Sequence, residues 1–267
     1  MAIKKYQKIV TPFLMGQRKD GLLRVQSLTT DKWGTVNIEK FQEVKILDRD
    51  EQIERMGEIY FALSEKIKQS VENGYIPISL AGDCVSSIGV LAGLQKAGKE
   101  PDRIIWLDAH GDFHTWDTSQ TKYIGGMPLA MLVGHGDQRI VDIVGMSPYP
   151  EDKIILSDAR DLDSGEKEAV KNSKMIICEA KNILKNLSKK ESVYLHWDTD
   201  FVSAEKEMPA LKYHVKSGLT YPETSDLFKS LKNVNIVAIS ISAWHEEKDL
   251  DNKTAEACLS LLDNLKN

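Results

Sequence analysis

Five side chains in this sequence have types and spacings that could do chemistry together: Asp108, His110 and Asp112, then Asp198 and Asp200. Residues at i, i+2 and i+4 share one face of an extended strand, and a loop starting there can fold them around a centre. Carboxylates with an imidazole suit divalent metals of intermediate hardness, such as Mn²⁺, Fe²⁺, Co²⁺ or Zn²⁺. Four neighbouring aspartates repel one another unless cations neutralise them. Two metals sharing carboxylates solve that problem and generate a hydroxide at neutral pH. A lone Asp-x-His reads equally well as a helix cap or a solvated loop. The full set, with each part at the end of an apolar run, points to a two-metal centre.

Those apolar runs must position the set. Ile76 to Gly82, Arg103 to His110, Lys153 to Arg160, Lys174 to Ala180, Ser192 to Asp200 and Asn235 to Ser242 read as strands. Each is apolar nearly throughout, as in strands covered on both faces. Helical spacing lies between them. Ile53, Met56, Ile59, Leu63 and Ile67 recur at steps of three and four, with Gly74 as a stop. The segments CVSSIGVLAGLQKAG, GEKEAVKN, ETSDLFKSLKN and NKTAEACLSLLDNLKN are further helix candidates. Strands alternating with helices predict an α/β fold, a three-layer αβα arrangement with a mainly parallel sheet. Such folds bind ligands outside the carboxyl ends of their strands. Gly82-Asp83-Cys84, Asp108 to Asp112 and Asp198 to Asp200 all fall there.

Bulk properties narrow the function classes. The 267 residues carry 28% charged and 42% hydrophobic side chains, ordinary for a globular protein, and read as one domain over 1–267. The net charge of -5 and the lack of a Lys/Arg block exclude nucleic acid as the expected partner. No run approaches the ~18 apolar residues of a membrane span. MAIKKYQKIVTPF has no continuous apolar core of a signal peptide, and Cys84, Cys178 and Cys258 form no disulfide framework. A reducing cytoplasmic location is the expectation.

The segment WLDAHGDFHT, followed by GGMPLAML and by HWDTDF…MPA…SGLT, resembles the Asp-Ala-His-x-Asp and Asp-x-Asp signatures of the arginase/agmatinase (ureohydrolase) family. AGDCVSSIG resembles the Gly-Gly-Asp-His-Ser segment of that family, and the likeness runs from about Ile76 to the C-terminal helix. It implies an eight-stranded, largely parallel sheet and a Mn²⁺ pair whose bridging hydroxide attacks a guanidino or amidino carbon. Asp108 and Asp198 match the bridging ligands, Cys84 and Asp112 those of one metal, and His110 and Asp200 those of the other. ARDLDSGE resembles the arginase segment that contacts the substrate's α-amino group, which gives Asp163 and Glu166 that role. A turn capping the next helix is the alternative for Asp163. A homo-oligomer, trimer or hexamer, is also implied.

Four departures shape the functional expectation. Cys84 replaces a histidine ligand; its softer thiolate admits Zn²⁺ or Fe²⁺ beside the expected Mn²⁺. Gly125 stands where the family has a proton-shuttling histidine, so His114 and His214 join Asp112 as catalytic candidates. Ser240 aligns with the Glu that grips guanidinium, with Glu246 and Glu247 close behind. Ser203-Ala204 replaces an Asp-Pro. The expected activity is metal-dependent hydrolysis of a C–N bond in a linear amidine or guanidine, with an arginine-like or N-hydroxy-guanidino amino acid as substrate. The alternative is a non-catalytic, metal-stabilised binding or regulatory subunit. A zinc deacetylase, which usually needs a histidine pair, ranks last because no tandem His-His occurs.

Overall fold

A computed structural model describes residues 4–41, 48–242 and 244–266. In chain order its strands are β1 (Tyr6–Thr11), β2 (Phe13–Leu14), β3 (Gln17–Arg18), β4 (Trp33–Thr35), β5 (Ile76–Ala81), β6 (Arg103–Asp108), β7 (Ile154–Asp158), β8 (Ile176–Cys178), β9 (Ser192–Asp198) and β10 (Asn235–Ser242). The helices are α1 (Arg49–Glu72), α2 (Ser86–Lys96), α3 (Pro128–Leu132), α4 (Arg139–Val144), α5 (Ser164–Asn172), α6 (Tyr221–Leu231) and α7 (Lys253–Asp263). Eight strands form one sheet in the order β4-β1-β5-β10-β9-β6-β7-β8. Every pairing in it is parallel.

Strand alternation sorts the core into two layers. Ile104, Trp106, Ile154, Leu156 and Tyr194 pack with α1 to α4 on one face. Ile105, Leu107, Ile155, Val193, Leu195 and Trp197 pack with α6 and α7 on the other. Apolar residues of both parities are therefore buried, which is why these strands read as continuous apolar runs.

The Asp48 side chain starts α1 by accepting from the Glu51 amide at 2.9 Å. Gly74, at φ 79°, follows its end. Helix α2 lies close against α1 because Gly89 and Gly93 have no side chain. A Cβ on Gly89 would sit 2.7 Å from the Tyr60 carbonyl, and one on Gly93 2.6 Å from that of Ser64.

Two sheet strands, β1 and β4, escape the sequence pattern because polar residues interrupt them; their backbones pair through Ile9 with Gly34. The run from Lys174 to Ala180 shortens to β8 and then turns into a 3-10 helix. Among the described residues no helix is long and apolar enough to cross a membrane.

What the topology does for function is juxtaposition. Strands β5 and β6 follow each other in sequence but are separated in the sheet by β10 and β9. Ser242 pairs with both Ala81 and Asp198, and Leu107 with Trp197. The carboxyl ends of β5, β10, β9 and β6 are thus flush, and the polar residues that terminate them share one rim.

Candidate metal centre

Above that rim lies a cavity of about 300 Å³ lined by Cys84, Asp108, His110, Asp112, Asp198 and Asp200. Asp108 ends β6, and the chain then bends sharply. The His110 amide donates to Asp108 Oδ1 at 2.8 Å, and Asp112 adopts φ 52°, unusual for a residue with a side chain. The bend turns all three side chains of the Asp-Ala-His-Gly-Asp segment toward the cavity. Asp198 ends β9, and its Oδ1 accepts from the Asp200 amide at 3.0 Å, which starts the next turn. Cys84 follows β5; its thiol donates to Asp198 Oδ2 at 2.8 Å, and the Ser242 hydroxyl lies 2.9 Å from its sulfur.

Two compact donor groups result, each with its ligand atoms within 4.8 Å of one another: Cys84, Asp108, Asp112 and His196, and then Asp108, His110 and Asp200. Asp108 belongs to both. Asp198 lines the same cavity without entering either group. His196 is the member that sequence reasoning missed. On β9 it shares the face of Tyr194 and Asp198, two residues below Asp198, and it is fully buried. Strand alternation alone would have placed it there.

The electrostatics ask for cations. Burial, followed by mutual repulsion, raises the carboxyls of Asp108, Asp112 and Asp200 above their ordinary range. Asp198 is pushed up to about 7, by burial first and by Asp200 second. Burial works against the His110 imidazolium, but Asp108 and Asp200, each 3.3 Å away, outweigh it and hold the group up to about 12. The metal-free cluster therefore retains protons where divalent ions would be more effective neutralisers. Among the described residues Asp112 Oδ2 and His196 Nε2 are buried without a hydrogen-bond partner, a state that a shared ion would relieve. The donors fit a two-ion site.

One wall of the cavity carries His114, Asp163 and Glu166. His114 Nε2 is 3.2 Å from Asp163 Oδ2 and 4.0 Å from Glu166 Oε2. Asp163 also caps α5, accepting from the Gly165 and Glu166 amides, so capping and cavity-facing coexist in one side chain. Glu166 Oε1 accepts from the Phe113 amide at 2.9 Å, tying α5 to the His114 loop. At Gly125 a Cβ would stand 2.3 Å from the Tyr123 ring, whereas one at Gly126 would approach only His114, at 3.7 Å. Tyr123 fills the space that a side chain at position 125 would need, and His114 lies alongside.

Several candidates lie elsewhere. His214 is exposed and does not line the cavity, although its neighbour Tyr213 does. Ser240 is buried beneath the rim, bonded to Tyr194 and to His196 Nδ1. Because alternate residues of β10 share a face, Ser242 is the serine at the level of the metal donors. Glu247 pairs with Lys19, and Glu246 packs over Gly21; neither lines the cavity.

Fold and donors together define a parallel α/β protein with an acidic, two-ion type of centre at the carboxyl edge of its sheet. A sequence profile described as the arginase family matches residues 16–265, and the chain belongs to that family. It is 29% identical over 237 residues to an arginase of Bacillus subtilis (strain 168), covering 82% of this chain and 79% of the relative. To an arginase of Bacillus caldovelox it is 30% identical over 220 residues, covering 76% and 72%. The native structure of arginase from Bacillus caldovelox superposes with a TM-score of 0.81 at 26% identity, covering 98% of each chain. A formimidoylglutamase from Bacillus subtilis subsp. subtilis str. 168 shares the fold, with a TM-score of 0.72 at 16% identity, covering 99% of this chain and 87% of that one.

Proposed function

We propose that this chain hydrolyses a C–N bond of a linear guanidine or amidine, with an arginine-like or N-hydroxy-guanidino amino acid as substrate. The observation that carries the reading is the pair of donor groups sharing Asp108 at a substrate-sized cavity. Asp108, Asp112, Cys84 and Asp198 would hold one divalent ion, and Asp108, His110, Asp198 and Asp200 the other. When bound, the ions supply acidified water and offset the carboxylate charge. Mn²⁺ is the family expectation, and Cys84 opens the site to Zn²⁺ or Fe²⁺.

The chain's own residues do the rest. Asp163 and Glu166 take the α-amino end of the substrate, with Asp163 held in place by its capping bonds. His114, between them and Gly126, passes a proton to the leaving nitrogen, a role typically worth about 10²–10⁴ in rate. Serines, not a glutamate, stand on the described face of β10 at and below the rim, so a charge-assisted pair to guanidinium is missing there. An N-hydroxylated guanidine is less firmly cationic and suits that environment. Relatives named arginase support the guanidino class.

The test is a panel of guanidines and amidines given to metal-loaded protein, with urea and hydroxyurea release measured. Preference for the N-hydroxy amino acid is expected; arginine turnover far above it would contradict the assignment. Tyr123 in the space of a side chain at Gly125 favours a second reading, a non-catalytic binding subunit. Silence across the panel with two ions bound would select it.

A further inference from the structure

His196 has no role in the activity proposed above, yet its side chain is held by a ring stack and a hydrogen bond. It is fully buried. Its ring stacks on Trp106 with centroids 3.7 Å apart, and its Nδ1 lies 2.8 Å from Ser240 Oγ. Ser240 in turn bonds to the buried Tyr194 hydroxyl. In the tautomer whose Nδ1–H donates to Ser240 Oγ, Nε2 carries a bare lone pair. Among the described residues neither Nε2 nor Asp112 Oδ2 has a hydrogen-bond partner. Both residues belong to the donor group completed by Cys84 and Asp108.

We infer that His196 is a ligand of the inner ion, and that Cys84, His196, Asp108 and Asp112 form a mixed sulfur, nitrogen and oxygen sub-site selective for Zn²⁺ or Co²⁺ over Mn²⁺. This rests on the two-ion reading of the centre. His196 Nε2 and Asp112 Oδ2 are buried in one compact group without a hydrogen-bond partner among the described residues, and a cation held there would satisfy both. Thiolate with imidazole is a softer donor set than manganese favours and suits zinc or cobalt. The outer group of Asp108, His110 and Asp200 offers one nitrogen and no sulfur, so it is the harder donor set of the two. The two positions therefore differ in chemistry, and the protein prefers a different metal at each.

Ser240 and Trp106 act as positioning residues. The hydroxyl fixes which nitrogen faces the ion, as hydrogen-bonded partners of metal-ligating histidines generally do.

The experiment uses the full chain, stripped with chelator and titrated with Co²⁺ and with Zn²⁺. Wild type should bind two ions, with a thiolate-to-cobalt charge-transfer band marking the inner one. His196→Gln, which preserves bulk and polarity, should lose or weaken that band and bind inner zinc at least ~10–100-fold more weakly. Its zinc-over-manganese preference should shrink by a comparable factor. Because this variant could fold poorly, X-ray absorption on zinc-loaded His110→Ala provides a second reading. One zinc there should show both sulfur at about 2.3 Å and imidazole nitrogen at about 2.0–2.1 Å. An unchanged cobalt spectrum, affinity and metal preference in His196→Gln would overturn the inference alone, as would sulfur without imidazole in His110→Ala. Failure of wild type to bind any ion would overturn the two-ion reading as well.

Discussion

His114 Nε2 stands 3.2 Å from Asp163 Oδ2, and the same carboxylate caps α5. One side chain thus fixes a helix start, orients a cavity imidazole and presents charge to the cavity. These roles separate by substitution. Asparagine caps as well as aspartate does, so Asp163→Asn should keep its thermal midpoint while KM rises more than kcat falls. Asp163→Ala should also lose about 1 kcal/mol of stability. His114→Ala should lower kcat by about 10²–10⁴ with little change in KM. Steady-state kinetics with melting curves distinguish these; equal kinetics in His114→Ala would remove it from the mechanism.

Metal removal should reveal the electrostatic cost of the cluster. Each ion bound at a hundred times its Kd adds about 2.7 kcal/mol. Chelation should therefore lower the melting midpoint by at least several degrees, at roughly 2–4 °C per kcal/mol for a chain near this size. Asp112→Asn should behave oppositely in the two states. In metal-free protein it relieves repulsion from Asp108 and Asp198 and should be neutral or stabilising. In loaded protein it should destabilise. A melting curve that chelator leaves unmoved would count against tight binding.

The loop carrying His114 is anchored at a distance. Asp137 accepts from Trp116 Nε1 at 2.8 Å and from Arg139 Nη2 at 2.6 Å. Arg139 first, with Trp116 adding, holds the Asp137 carboxyl down to about 2. A depressed carboxyl contributes stability that is present above its unfolded value of about 3.9 and lost as pH falls through the folded one. The margin of wild type over Asp137→Asn should thus be constant above about pH 5 and shrink between about pH 4 and 2. Since the pair is partly exposed, that margin should be about 1 kcal/mol or less. Denaturant melts of both proteins across this range test it; a margin that grew toward low pH would reverse the sign.

Sequence revealed the central strands because their burial on both faces leaves an unmistakable apolar run, as in Arg103 to Asp108. It also marked the rim, since Asp108, His110, Asp112, Asp198 and Asp200 interrupt such runs at their ends. Strands β1 and β4 were hidden because residues such as Lys8 and Gln7 sit among their apolar positions; Lys8 is buried beside Asp31. Ser240 lies one strand repeat below Ser242, and alternation alone cannot choose between them because the two share a face. His196 was passed over because a single histidine inside an apolar run carries no motif. Its meaning emerges only when β5, β6 and β9 bring Cys84, Asp108 and His196 together.

Metal content per chain for wild type and Cys84→Ala, measured on protein purified without chelator, tests the central claim most directly. The thiol lies among Asp198, Ser242 and the inner donors, so two ions should bind to wild type and about one to the variant. No metal in wild type, even after Mn²⁺ or Zn²⁺ is added, would contradict the account.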